Sequence, residues 1–190
     1  MARAHRTRRQ LDLLDRLVVL MAAEGFAGFT LDDIALRMRC SKTTLYALAD
    51  SKQDLVVEVV KQYFRTAVDA VEGRVAGEDD PAARVTAYLS AVADQLRPLS
   101  RAFMEDLTAF APAAAVYRGN TAAAADRIRA LVAEGIDAGA FRPVHAAFAG
   151  EMAAATMFEI QRGELFERLD MTDSEAYAEL ASLLLHALAP

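Results

Sequence analysis

The sequence predicts an all-α protein. Three observations carry that expectation: apolar residues recur at helical spacing along most of the chain, alternating period-two runs are absent, and Ala, Leu, Arg and Glu are plentiful. With 190 residues, 54% of them hydrophobic, the chain can bury a sizeable core. Its length is compatible with one compact domain or with a small domain joined to a larger one.

The first helix is expected at about 7–24, with Leu11, Leu14, Val18 and Met21 on one face and a stop at Gly25. A short second helix follows at 31–38. Thr30 is placed to cap it, Asp33 serves as a shortened capping-box acid, and Phe29 with Ile34 fills the two positions of a hydrophobic staple. Ser41 caps a third helix of about 42–48. Ser51 with Asp54 starts a fourth, which carries a broad apolar stripe through Leu55, Val59, Tyr63 and Phe64 to about 74.

The stretch "EGRVAGEDDP" (72–81) combines Gly73, Gly77, an acidic triplet and Pro81, and marks the expected break between two parts of the chain. Beyond it, helical segments are expected at about 82–97, 99–110, 113–139, 144–163 and 172–188. Their separators are Pro98, Pro112, Gly139 with Pro143, and "DMTD" (170–173). Within the alanine run 113–125, Gly119 and Asn120 are the expected point of interruption.

The overall charge of -6 conceals a division: residues 1–65 hold 11 Lys+Arg against 8 Asp+Glu, net +3, whereas residues 66–190 hold 10 against 19, net -9. Arg3, Arg6, Arg8 and Arg9 precede the first apolar periodicity, as a basic arm meeting phosphate or as a solubilising terminus. Charges break every apolar stretch before the roughly 18 residues a membrane span needs, and the Arg-rich first ten residues lack the apolar run of a secretory signal. A cytoplasmic protein with no membrane partner is expected. Cys40 stands alone, and His5, His145 and His186 are far apart, so neither a disulfide nor a metal site is expected. No nucleophile–base grouping or phosphate-cradling glycine loop is recognisable, and paired carboxylates such as Asp32-Asp33 fit as cap charges. Neither an enzyme nor a cofactor is expected.

Helix 31–38, a turn of about three residues and helix 42–48 have the layout of a helix-turn-helix, whose second helix enters the major groove of DNA. If Leu45 and Leu48 turn toward Ile34, Ala35 and the first helix, then Lys42, Thr43, Tyr46 and Ala47 face outward. Lysine can donate to guanine O6 and N7, and a threonine hydroxyl or methyl can meet several base edges. Thr44, Tyr46 and Lys52 suit phosphates, Lys52 adding its charge to the amides of a helix start. The competing readings are an all-α small-molecule-binding protein, in which such a helix pair only packs, and a DNA binder without sequence preference.

The stretch "GFAGFTLDDIALRMRCSKTTLYALADSKQDLV" (25–56) resembles the DNA-binding domain of the TetR family of transcriptional regulators. Gly25-Phe26, the Thr30…Ile34-Ala35 helix start, Ser41-Lys42-x-Thr44-Leu45-Tyr46 and Ser51-Lys52…Leu55 carry the resemblance, which covers about residues 7–65. It implies a homodimeric, ligand-responsive regulator of a palindromic operator, commonly a repressor. A DNA-binding domain at 1–52 would be followed at 53–190 by a helical linker, ligand-binding and dimerisation domain. By position, Lys42 and Thr43 resemble base readers, and Thr30, Thr44, Tyr46 and Lys52 resemble phosphate contacts, with Ser41 capping the reading helix among them. Arg39 occupies the turn position where the family usually has glycine, either as a tolerated strain or as an added phosphate contact. Ala47, Leu48 and Ala49 replace the larger side chains common after the tyrosine, which shifts specificity onto Lys42 and Thr43.

The resemblance also implies dimerisation through the last two helices, about 144–163 and 172–188. Phe148, Met152, Met157, Phe158 and Ile160 on one, and Leu180, Leu183, Leu184 and Leu188 on the other, could form a four-helix interface about a two-fold axis or complete the monomer's core. An unknown small-molecule effector would need a cavity. Phe103, Met104, Leu107 and Phe110 on segment 99–110, together with Met152 and Phe158, are candidates for its lining, as adaptable apolar side chains that equally suit a core.

Overall fold

The computed structural model describes residues 6–162 and 168–189; Arg3 of the basic arm and the last residue of the 144–163 segment lie outside them. Nine helices and no strand are found among the described residues. They are α1 (Arg8–Glu24), α2 (Leu31–Met38), α3 (Lys42–Tyr46), α4 (Lys52–Val75), α5 (Pro81–Leu96), α6 (Arg101–Ala109), α7 (Ala111–Asp137), α8 (Ala146–Arg162) and α9 (Asp173–Leu188).

Local chemistry sets most of these boundaries. Thr7 caps α1 in a reciprocal box with Gln10, Thr30 does the same for α2 with Asp33, and Ser41 accepts the Thr44 amide at the head of α3. Ser51 accepts the Asp54 amide at 3.0 Å as α4 begins. Of two expected interruptions, one is displaced and one is absent. Pro112 sits in the first turn of α7, where no amide hydrogen is required of it, and the bend falls instead at the extended residue Phe110. Helix α7 also runs unbroken through Gly119 and Asn120, because one interior glycine costs only about 1 kcal/mol and the flanking alanines favour helix.

The chain folds into two compact units, one holding the residues up to Thr66 with Pro98–Tyr117, the other Ala67–Arg97 with the residues from Arg118 onward. The divisions at 66 and 117 fall inside α4 and α7. The stretch 72–81 is therefore no boundary between units: α4 continues to Val75, α5 starts at Pro81, and both flanks belong to the second unit.

In the first unit, Leu13, Leu14, Leu17 and Met21 of α1 pack with Ile34, Leu45, Leu55, Val59, Phe103 and Leu107 in one apolar core. Leu11 is 39% exposed, contrary to the stripe expected from sequence, because Leu13 and Leu17 move the centre of the buried face round the helix. Phe26 meets Phe103 and Phe110 edge to face, and Phe64 stacks on Tyr117 at 5.5 Å.

In the second unit, α9 packs most extensively along α5. The buried Ser174 hydroxyl donates to the Ala93 carbonyl at 2.8 Å, and the Tyr88 hydroxyl donates to Ala124 at 3.1 Å. Gly135 lets Phe141 lie against α7, since a Cβ there would stand 2.2 Å from the ring. Helix α8 has two apolar faces rather than one. Ala153, Met157 and Ile160 are buried, whereas Phe148, Met152 and Phe158 are 66%, 53% and 37% exposed. On α9, Leu180, Leu184 and Leu188 are buried and Leu183 is 69% exposed.

Candidate nucleic-acid interface

Helix α3 is only five residues long and cannot hold its own conformation, so its neighbours fix it. Leu45 and Leu48 turn inward, 1% and 8% exposed, and anchor the segment in the core of the first unit. Helix α1 braces both ends of the motif: the Arg16 guanidinium donates to the Met38 carbonyl at 2.9 Å, and the Gln10 amide donates to the Ala47 carbonyl at 3.2 Å. These contacts satisfy carbonyls at helix ends that would otherwise lack partners.

The turn from α2 to α3 is a Schellman-type reversal. The Cys40 amide reaches back to the Ala35 carbonyl at 3.0 Å and the Arg39 amide to Leu36 at 3.1 Å. Arg39 adopts φ 53°, ψ 46°, the left-handed region favoured by glycine. Its exposed side chain has no ion pair or hydrogen bond among the described residues.

Once Leu45 and Leu48 are buried, Lys42, Thr43, Thr44 and Tyr46 are exposed, Tyr46 by 49%. Thr43 and Tyr46 have no described side-chain hydrogen bond, so their hydroxyls are available. The Ser41 and Thr44 hydroxyls lie 2.9 Å apart and share a bond. Thr30 donates its hydroxyl proton to Asp33 at 2.6 Å while accepting the Asp33 amide, so it would have to release that carboxylate to donate to a phosphate. These bonds hold the Asp33 carboxyl below its ordinary pKa, the Thr30 hydroxyl contributing most.

Both lysines have partners. Lys52, the first residue of α4, donates to the Ala27 carbonyl at 3.0 Å, which leaves two N–H groups. The Lys42 ammonium lies 2.8 Å from a carboxylate oxygen of Asp32, a pairing that sequence reasoning missed because it read Asp32-Asp33 as cap charges alone. In the basic arm, Arg6 pairs with Glu58 of α4 at 2.5 Å.

Helix α6 is stapled to the turn that leads into α2. The Ser100 amide donates to the Ala22 carbonyl at 2.8 Å, and one Asp106 oxygen accepts the amides of Phe26 at 2.5 Å and Ala27 at 2.8 Å. Gly25, at φ 77°, permits this approach, since a Cβ there would stand 2.7 Å from the Asp106 carboxylate. A cavity of about 270 Å³ adjoins the staple, lined by Phe26, Lys52, Val56, Asp106 and Phe110 among others.

The six ligand candidates divide between the two units. Phe103 and Leu107 are buried in the first unit's core with Met104 and Phe110 packed against it, whereas Met152 and Phe158 lie exposed on α8 in the second. Of the six, Phe110 lines the described cavity. Among the described residues, no group of three or more His, Cys, Asp or Glu side chains could hold a metal ion, and no helix is long and apolar enough to cross a membrane.

Residues 13–59 match the family model described as bacterial regulatory proteins, tetR family. No curated protein sequence matches the chain significantly. Among solved structures, a TetR transcription regulator from Haloarcula marismortui is similar at TM-score 0.76 and 20% identity, over 97% of this chain and 100% of that one. A putative transcriptional regulator from Saccharomonospora viridis, in complex with choline, gives TM-score 0.75 and 16% identity, covering 97% and 100%. The fatty acid degradation regulator FadR from Bacillus halodurans gives 0.71 and 16%, covering 95% and 97%. At these identities the structures establish the fold, while the family match falls on the segment whose motifs resemble the TetR family.

Proposed function

We propose that this chain, which has the fold of TetR-family transcriptional regulators, is a homodimeric, effector-responsive regulator, commonly a repressor, that binds a palindromic operator through α3. In this reading residues 1–52 carry the DNA contacts, and 53–190 carry the linking helix, effector response and dimer contacts, in the cytoplasm and without catalysis.

The observation that carries the reading is the division of α3 into two faces. Leu45 is buried, and Lys42, Thr43, Tyr46 and the preceding Arg39 are exposed. A helix anchored in this way can present its N-terminal side chains to base edges, while Tyr46, Thr44, Lys52 and Arg39 meet phosphates. The exposed Phe148, Met152, Phe158 and Leu183 on α8 and α9 support a second copy as the partner, since exposed large apolar side chains on adjacent helices suit a self-complementary four-helix contact. The cavity beside Asp106 and the choline complex of the similarly folded Saccharomonospora viridis protein support a small-molecule effector.

Two reading helices engage successive major grooves about 34–36 Å apart, so an effector acts by biasing that separation. Selection of bound fragments from random duplex DNA tests the proposal. The expected result is an enriched palindrome whose half-sites are one helical turn apart. Uniform retention of all fragments would indicate a DNA binder without sequence preference, and no retention at low salt would sink the reading.

A further inference from the structure

Asp32 and Lys42 are ten residues apart and meet only because the turn through Arg39 folds α3 back against α2. Their separation is 2.8 Å, with the Asp32 side chain 74% and the Lys42 side chain 48% exposed. Such an exposed pair contributes little to folding, so stability does not account for it. The neighbouring carboxylate, Asp33, is engaged by Thr30, which leaves Asp32 as the acid facing the lysine. The contact also keeps the ammonium firmly charged, since the hydrogen bond to Asp32 and that residue's charge both favour the protonated form.

We infer that Asp32 is a specificity-determining residue that acts through Lys42, an inference that rests on the DNA-binding reading above. An ammonium has three N–H donors. With one held by Asp32, the flexible lysine stem is directed, and two donors remain for acceptors such as guanine O6 and N7. On a duplex without the matching base, the carboxylate cancels the charge that would otherwise attract any phosphate, and random DNA loses one cation's worth of counterion release. Asp32 thus lowers affinity for wrong sequences more than for the right one.

The test measures affinity for the selected operator and for random duplex across a salt series. Asp32→Asn is expected to tighten random binding and steepen its salt dependence by roughly one phosphate contact, about threefold more affinity lost over a fourfold rise in salt. Operator affinity should change less, so the operator-to-random ratio falls. Asp32→Glu, which keeps the carboxylate, should preserve the ratio. In a Lys42→Ala background, Asp32→Asn should no longer alter it.

An unchanged ratio in Asp32→Asn overturns the inference, as does an equal fall in the Lys42→Ala background, which would mean that Asp32 repels phosphate on its own account. A fall of the ratio in Asp32→Glu as large as in Asp32→Asn would overturn it too. Wild-type protein with no operator preference would instead remove the operator-binding reading on which the inference rests, a result distinct from a selective wild type with an unaltered Asp32→Asn variant.

Discussion

At the scale of single residues, Arg39 combines a backbone cost with an exposed charge. Left-handed backbone at a residue with a Cβ costs about 1 kcal/mol, and the Arg39 φ of 53° lies in that region. Arg39→Gly is therefore expected to raise the thermal unfolding midpoint while weakening DNA binding and flattening its salt dependence, measured by melting curves and a gel-shift salt series. Retained affinity would mean that the guanidinium does not meet phosphate. Lys42 and Tyr46 should separate by kind of loss: Lys42→Ala costs roughly 1–3 kcal/mol at one base pair of the operator, whereas Tyr46→Ala weakens binding to all sequences. Titrations against single-base operator variants distinguish the two, and equal losses for Lys42→Ala on operator and random duplex would refute its role as a base reader.

At the scale of elements, the caps were legible because they act over three residues. Thr30 with Asp33, Ser41 with Thr44 and Ser51 with Asp54 are all formed where the sequence places them. The Asp106 staple was not legible, since its partners lie 79 and 80 residues away in sequence. The structure commits Asp106 to two backbone amides. Removing a carboxylate that satisfies a partly buried N–H group, here that of Phe26, costs about 1–3 kcal/mol, so Asp106→Ala should lower the denaturation midpoint by a corresponding amount. Denaturant titration checks this, and an unchanged midpoint would show that solvent replaces the staple without loss.

At the scale of the whole molecule, the outward apolar side chains of α8 and α9 offer a test of the proposed dimer. Phe148→Glu combined with Leu183→Glu leaves the buried faces of both helices untouched, because Met157, Ile160, Leu180 and Leu184 form those faces. The expected outcome is a folded monomer by sedimentation with much weakened operator binding, since each copy can then engage only one half-site. A variant that stays dimeric would move the interface elsewhere. The sequence grouped the apolar residues of α8 as a single face, and only packing against the second unit's core separated the inward set from the outward one.

The sequence alone determined the all-α class, nearly every helix start and the turn at Arg39. Helical periodicity, caps and turn chemistry depend on residues within about four positions of one another, so they are written into short stretches. The tertiary structure decided the pairing of Lys42 with Asp32, the bracing of α2 and α3 by Arg16 and Gln10, the centre of the α1 stripe and the return of α6 to the first unit. Those depend on how helices distant in sequence cross, and a crossing is set by the fit of whole apolar faces rather than by any local run of residues.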